Sequence, residues 1–245
     1  MGRLIILSGP SCVGKGPLCA ALKRFYPDLA RRFPKVVMYN SRQPRPGEVD
    51  GADYHFRPKE EIERLGKRKQ IFTLAVRDDL QGIDLTEIRK TLAAHNAFIE
   101  GSTLFMRHLL DTIDDKIECH SVFLSPLCAE EIRYIKDAQT GPTVSEVVTD
   151  LMRGKLLRRT TRQKTHTSLA DLKNIEQRAS TAYEELAEAW RFDSVIANHD
   201  GEDSENWDAF YHPIGDALKS LSAFAALLRG EPHALIERWD QDLIA

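Results

Sequence analysis

Whatever this chain folds into must accommodate one stretch: Gly9-Pro10-Ser11-Cys12-Val13-Gly14-Lys15, directly after the apolar run Arg3-Leu4-Ile5-Ile6-Leu7-Ser8. The apolar run reads as a buried strand meeting a turn. Beyond the lysine, Leu18, Leu22 and Phe25 recur at helical spacing within residues 17–26. Pro17 suits a first helical turn, where a missing N–H costs little. Two glycines let the backbone wrap so that successive N–H groups point inward at anionic oxygens. The following helix adds positive potential at its start, and Lys15 adds a full charge. Gly9, Pro10, Ser11, Cys12, Val13, Gly14, Lys15 and Gly16 are therefore expected to hold nucleotide phosphates. The pattern G-x-x-x-x-G-K-[ST] wants a hydroxyl after the lysine, for Mg²⁺; here Gly16 and Pro17 follow instead. Cys12 reads as a small buried residue, since no histidine lies near it in sequence.

The rest of the 245 residues suits a soluble α/β chain. Hydrophobic residues make up 42% and charged residues 29%, which excludes a disordered chain or a coiled-coil rod. The net charge of −3 gives no reason to expect nucleic acid or an anionic membrane as partner. Cys12, Cys19, Cys119 and Cys128 form no C-x-x-C pair. Free thiols in a reducing compartment, a short apolar start and no membrane-length run make cytoplasmic the default. Strands are expected at 36–39, 70–76, 96–100, 120–125 and 192–197. Helices are expected at 58–67, 84–94, 103–111, 127–137 and 169–190, then near 207–228 and 232–244. This alternation argues for a parallel sheet covered on both faces.

A second motif runs from Ser41-Arg42-Gln43-Pro44-Arg45-Pro46-Gly47-Glu48 to Asp53-Tyr54-His55-Phe56. Two arginines three apart, stiffened by prolines, present guanidinium forks, and a tyrosine hydroxyl follows a turn. Such a set grips a dianionic phosphate through bidentate, charge-assisted bonds. Further on, Arg153, Lys155, Arg158, Arg159, Arg162 and Lys164 crowd a short span with no aromatic interleaving for base stacking. A charged lid closing over transferring phosphates accounts for them better. The histidines form no metal-binding pair, and no metal site of protein ligands is expected.

With these motifs in view, the chain resembles the guanylate kinase family, whose pattern is GPSGxGK, then [ST]-R-x-P-R-x-G-E-x-x-G-x-D-Y-x-F. The resemblance implies a P-loop NTPase core with a parallel sheet flanked by helices, a small acceptor-binding subdomain, a helical lid and extra C-terminal helices. It covers residues 1–228, with the acceptor-binding insert about 36–95 and the lid about 140–168, leaving 229–245 as a helical extension. It implies that Lys15 contacts the donor phosphates, that Arg42, Arg45 and Tyr54 hold the acceptor phosphate, and that Arg158, Arg159 and Arg162 lie in the lid. Arg178 aligns with the arginine of the helix after the lid, and Asn198 with an asparagine near the adenine. The family reads guanine with a serine, a glutamate and an aspartate; Met38, Thr73 and Ser102 fall at those places here. A tyrosine that helps bind the acceptor phosphate falls at or near Gln81.

The implied function is transfer of the γ-phosphoryl group of ATP, with Mg²⁺, to a nucleoside monophosphate, GMP by default. Lys15, Arg42, Arg45, Arg159, Arg162 and Arg178 would carry catalysis. Tyr54, Thr73, Glu100 and Ser102 would join Arg42 and Arg45 around the acceptor. Ile99-Glu100-Gly101-Ser102-Thr103 is also similar to a V-N-G-S-R strand end of the ribose 1,5-bisphosphate phosphokinase family, which makes another phosphorylated acceptor an alternative. A non-catalytic binding module is a second alternative, favoured by Gly16-Pro17. The oligomeric state stays open between monomer and homodimer.

Overall fold

The computed structural model describes residues 2–44, 47–114, 116–138 and 140–244. Its first half runs β1 (Leu4–Ser8), α1 (Lys15–Phe25), α2 (Pro27–Arg32), β2 (Tyr39–Asn40), β3 (His55–Phe56), α3 (Lys59–Lys67), β4 (Phe72–Val76), β5 (Asp79–Ile83), α4 (Leu85–Ala94), β6 (Ala97–Glu100) and α5 (Thr103–Leu110). The second half continues with β7 (Cys119–Ser125), α6 (Ala129–Asp137), α7 (Val144–Gln163), α8 (Leu169–Ser180), α9 (Ala182–Ala187), β8 (Ser194–Ala197), α10 (Gly215–Arg229) and β9 (Ile236–Glu237). One sheet has the order β6-β1-β7-β8-β9, the other β3-β2-β5-β4. Every residue of β1 is buried, as the four consecutive apolar residues Leu4 to Leu7 require of an interior strand.

The chain divides into two compact units. One joins the stretch up to Ile6 with Arg32–His120; the other joins Leu7–Arg31 with the residues from Ser121 onward. In the first unit, β5 runs antiparallel to both β2 and β4, and β3 is parallel to β2. Helix α3 covers one face of this small sheet, where Ile62, Ile71 and Leu80 form a core with Tyr39 and Leu65. Strand residues alternate between faces, so the opposite face carries Phe56, Asn40, Gln81 and Leu74. Those four stand opposite one another in one register across the four strands.

In the second unit, β7 and β8 are parallel. Residues Val122 to Leu124, Val195 and Ile196 are fully buried. Helix α7 begins at a capping box of Thr143 and Glu146, and α8 at one of Ser168 and Asp171. Helix α10 ends on Gly230 in the left-handed conformation, the usual glycine stop.

Three expectations need correction. The stretch 169–190 is two helices, α8 and α9, followed by a 3₁₀ turn at Ala189–Arg191. The stretch 232–244 is not helical. Ile236 pairs with Ile196 to add the antiparallel strand β9, and only Gln241–Leu243 forms a 3₁₀ turn. Its apolar spacing matched a helix, but the edge of β8 offered the backbone partners that a short helix would have lacked. Finally, the strand expected at 36–39 contributes only Tyr39 to β2, and β5 was not anticipated at all.

Candidate active site

The donor loop belongs to the second unit. Gly9 has φ +138° and Gly14 φ +106°, angles that side-chain-bearing residues avoid. Space forbids a side chain too: a Cβ on Gly9 would lie 2.3 Å from the Leu124 carbonyl oxygen, and one on Gly14 2.3 Å from Asn198 Nδ2. Gly14 ends the loop as the N-cap of α1, so the free amides of the first turn open toward the loop. Lys15 folds back across it, its Nζ donating to the Gly9 carbonyl at 2.7 Å and to that of Pro10 at 2.9 Å. These are the bonds a phosphate oxygen would exchange. The glycines and the helix start thus fit a polyphosphate. The position after the lysine does not fit a magnesium ligand, since Gly16 has no side chain and Pro17 no side-chain oxygen.

The residues grouped as a lid surround this loop from one side. Asn198 is fully buried. Its Nδ2 donates to the Val13 carbonyl at 2.7 Å, and Ser220 Oγ donates to its Oδ1 at 3.2 Å. The Glu202 N–H donates to the Cys12 carbonyl at 3.1 Å. The same acidic segment holds the arginines of α7. Arg159 pairs with Glu202 at 2.6 Å, Arg158 with Asp203 at 2.5 Å, and Arg162 with Glu205 at 3.0 Å. Burial works against the charge on Arg159, and Glu202 outweighs it, so its pKa is held above the ordinary range. Burial also pushes the Cys12 thiol up to about 12, with Glu202 adding to the effect. That thiol is protonated and unreactive.

Lys155, grouped above with the lid cations, is buried, and its Nζ donates to the Asn198 carbonyl at 3.5 Å. Its pKa is lowered, chiefly by burial. Arg178 occupies the last turn of α8.

The acceptor residues belong to the first unit. Arg42 presents both guanidinium nitrogens to Glu48, NH1 to Oε2 and NH2 to Oε1, each at 2.6 Å. Burial disfavours its charge, but Glu48 prevails and its pKa is raised. So the expected phosphate fork is held by a carboxylate, in the bidentate geometry a phosphate would use. Arg42 lies over the rings of Tyr54 at 5.1 Å and Phe56 at 5.3 Å. Arg45, the second expected fork, lies outside the described residues.

Sequence reading missed Lys35, whose Nζ sits 5.7 Å from the Tyr54 ring and donates to the Asp53 carbonyl at 3.1 Å. No motif marks it. Thr73 stands on the face of the small sheet that α3 covers. A Cβ on Gly66 of α3 would meet Thr73 Oγ1 at 2.9 Å, so Thr73 packs under α3, away from Asn40 and Gln81. Met38 is buried, its sulfur 3.4 Å from where a Gly101 Cβ would stand. Glu100 closes β6, half-buried, and Ser102 is the N-cap residue of α5 without a side-chain cap bond.

Comparison with known proteins points to one family. The family model described as guanylate kinase matches residues 1–140. The chain is 32% identical over 203 residues to the guanylate kinase of Corynebacterium jeikeium, covering 81% of this chain and 89% of that protein. It is 45% identical over 77 residues to that of Desulfitobacterium hafniense, which covers 30% of this chain and 35% of the relative. With that of Lactococcus lactis it shares 34% over 134 residues, 54% of this chain and 62% of the relative. The chain thus spans less than two thirds of the length of these last two. Among solved structures, a guanylate kinase from Anaplasma phagocytophilum superimposes with a TM-score of 0.55 at 19% identity, covering 94% of this chain and 85% of that one; at that identity the likeness speaks for the fold. Glycine-built donor loop, arginine–tyrosine acceptor loop and a near-full-length relative converge on one assignment: this chain belongs to the guanylate kinase family.

Proposed function

We propose that the chain is an ATP-dependent nucleoside monophosphate kinase, with GMP as its first acceptor. The observation that carries this is the donor loop, where two glycines at positive φ and the folded-back Lys15 leave a cradle with the shape and charge of a polyphosphate site. An oxygen of the acceptor phosphate attacks the γ-phosphorus while the bond to the β–γ bridging oxygen breaks, giving ADP and a nucleoside diphosphate. Mg²⁺ bound with the nucleotide would supply charge neutralisation, without a hydroxyl ligand from the position after Lys15.

The chain's own residues position and neutralise. Lys15 leaves the Gly9 and Pro10 carbonyls for a phosphate oxygen. Arg42 exchanges Glu48 for the acceptor phosphate, and Tyr54 and Lys35 lend it a polar, cationic wall. By family position Arg45 belongs to the same grip, and Arg178 is a catalytic arginine of the helix after the lid. Arg159 and Arg162 exchange their loop carboxylates for the charge spread over the transferring group. Asn198 acts on the nucleotide through the loop it holds. Glu100 and Ser102 border the acceptor.

The test is ADP release from ATP and Mg²⁺ with GMP, IMP, AMP, UMP or ribose 1,5-bisphosphate as acceptor. GMP is expected to turn over, and Lys15→Ala to lower kcat by about 10²–10³-fold. No turnover with any acceptor would leave a binding module, the reading that the missing hydroxyl at Gly16 favours.

A further inference from the structure

Among the described residues of the first unit, two buried polar atoms have no hydrogen-bond partner: Gln81 Oε1 and Ser102 Oγ. Gln81 is only 9% exposed. An orphaned amide oxygen at that depth destabilises a fold and points to something the protein alone does not provide. Its place in the sheet says what. Gln81 stands opposite Asn40 on one side and Leu74 on the other, and Asn40 stands opposite Phe56. This row crosses the face turned away from α3, and Arg42 lies over Phe56 at one end of it. One pleat along, Phe72 and Ile83 share the face. Phe72 meets Phe105 of α5 edge to face at 5.3 Å, and Ser102 starts that helix.

We infer that Gln81 reads the body of the acceptor, accepting a hydrogen bond from an N–H of its nucleobase, with Ser102 as a second neutral contact. The assignment rests on the kinase reading for the identity of the acceptor. As an acceptor, Oε1 calls for an N–H or O–H donor, which the heterocycle carries and a fully ionised phosphate does not; the ribose 5-phosphate titration below separates the two. A flat heterocycle suits the aromatic edge beside Gln81. Across from Gln81 and one pleat toward α5, the side chains Asn40, Leu74, Phe72 and Ile83 are uncharged; Asp79, one pleat the other way on the same face, acts on Arg42. The contacts that Gln81 and Ser102 themselves offer are neutral hydrogen bonds. Those separate close analogues by about tenfold, where a buried carboxylate facing two N–H donors separates them far more.

The experiment is calorimetric titration of the full chain with GMP, IMP and ribose 5-phosphate, alongside ADP release. GMP and IMP, which differ in one exocyclic amino group, are expected within about tenfold of each other. Gln81→Leu is expected to weaken both by about tenfold. It should leave ribose 5-phosphate binding and the KM for ATP unchanged, and raise the Tm of the unliganded chain by removing the orphan oxygen. Unchanged GMP affinity, an equal loss for ribose 5-phosphate, or no GMP binding to the wild-type chain overturns the assignment. Should Gln81→Leu fail to fold, Ser102→Ala carries the same test, with a loss for GMP and none for ribose 5-phosphate expected. GMP binding that depends on Gln81 without ADP release supports the assignment and removes the kinase reading. ADP release indifferent to Gln81→Leu does the reverse.

Discussion

The two candidate phosphate loops are built from different materials. Residues 9–15 take their shape from the main chain: two glycine conformations, a lysine bonded to two carbonyls, and carbonyls of Cys12 and Val13 fixed by Glu202 and Asn198. The described residues of 41–57 take theirs from side-chain charge. Glu48 clasps Arg42, Asp50 accepts from the Phe56 N–H and from Arg57, and Asp53 accepts from the Val49 N–H. A loop held by backbone geometry tolerates little change and binds whatever carries a polyphosphate. A loop held by ion pairs can drift one residue at a time, and the acceptor it takes can drift with it.

The most severe test of this contrast is Gly14→Ala. Both the φ of +106° and the 2.3 Å approach to Asn198 oppose a methyl group. Unfolding free energy is expected to fall by about 3 kcal/mol in urea titration, and the ATP-induced rise in Tm to vanish. If the loss is below about 1 kcal/mol, the loop is not rigid and the contrast dissolves. Arg42→Ala should act on binding alone. The KM for the acceptor is expected to rise about 10–100-fold, as loss of charge-assisted bonds implies, with the KM for ATP unchanged. A parallel rise in both constants would mean the two loops are not separable in function.

A gentler change sharpens the donor side. Nothing among the described residues lies within 4 Å of a Cβ added to Gly16. Gly16→Ser should therefore fold and gain about 0.5 kcal/mol from a better first helical turn. If the missing hydroxyl limits the enzyme, half-saturation by Mg²⁺ should move to lower concentration in the ADP-release assay.

The smallest effect belongs to His199, whose ring nitrogens face Asp216 at 2.5 Å and Glu131 at 2.9 Å. Burial disfavours its charge, but Glu131 and Asp216, the latter also bonded to Lys219, raise its pKa above 6.5. A raised folded pKa means that its contribution is complete below about 6.5 and lost as pH rises through the higher folded value. Tm should fall over that window, and His199→Gln should flatten the fall.

What was legible follows the same division. The donor loop could be read because glycine spacing and an apolar strand are themselves the physical requirement. The alternation of strands and helices was legible in most of the long elements for the same reason. Strand β5 was missed because Asp79, Gln81 and Gly82 are poor strand formers, and pairing with β2 and β4 overrides their propensity. Thr73 was placed by alignment, where a single step of register moves a side chain to the other face. The clasp of Glu48 on Arg42, the stacking of Lys35 on Tyr54 and the orphaned Gln81 depend on contacts between separate strands and loops. No local pattern encodes them.

Strand β9 has a consequence for how the chain behaves in a crowded solution. It pairs with β8 through Val195–Glu237 and Ile196–Ile236, and Glu237 is committed to the Ala129 N–H and the Trp239 indole. Unclosed, β8 would present a row of bare amides and carbonyls, a template for another molecule's strand. With β9 laid over it, the outermost margin shrinks to two residues ending in a charge, too brief to seed stacking of one molecule upon the next.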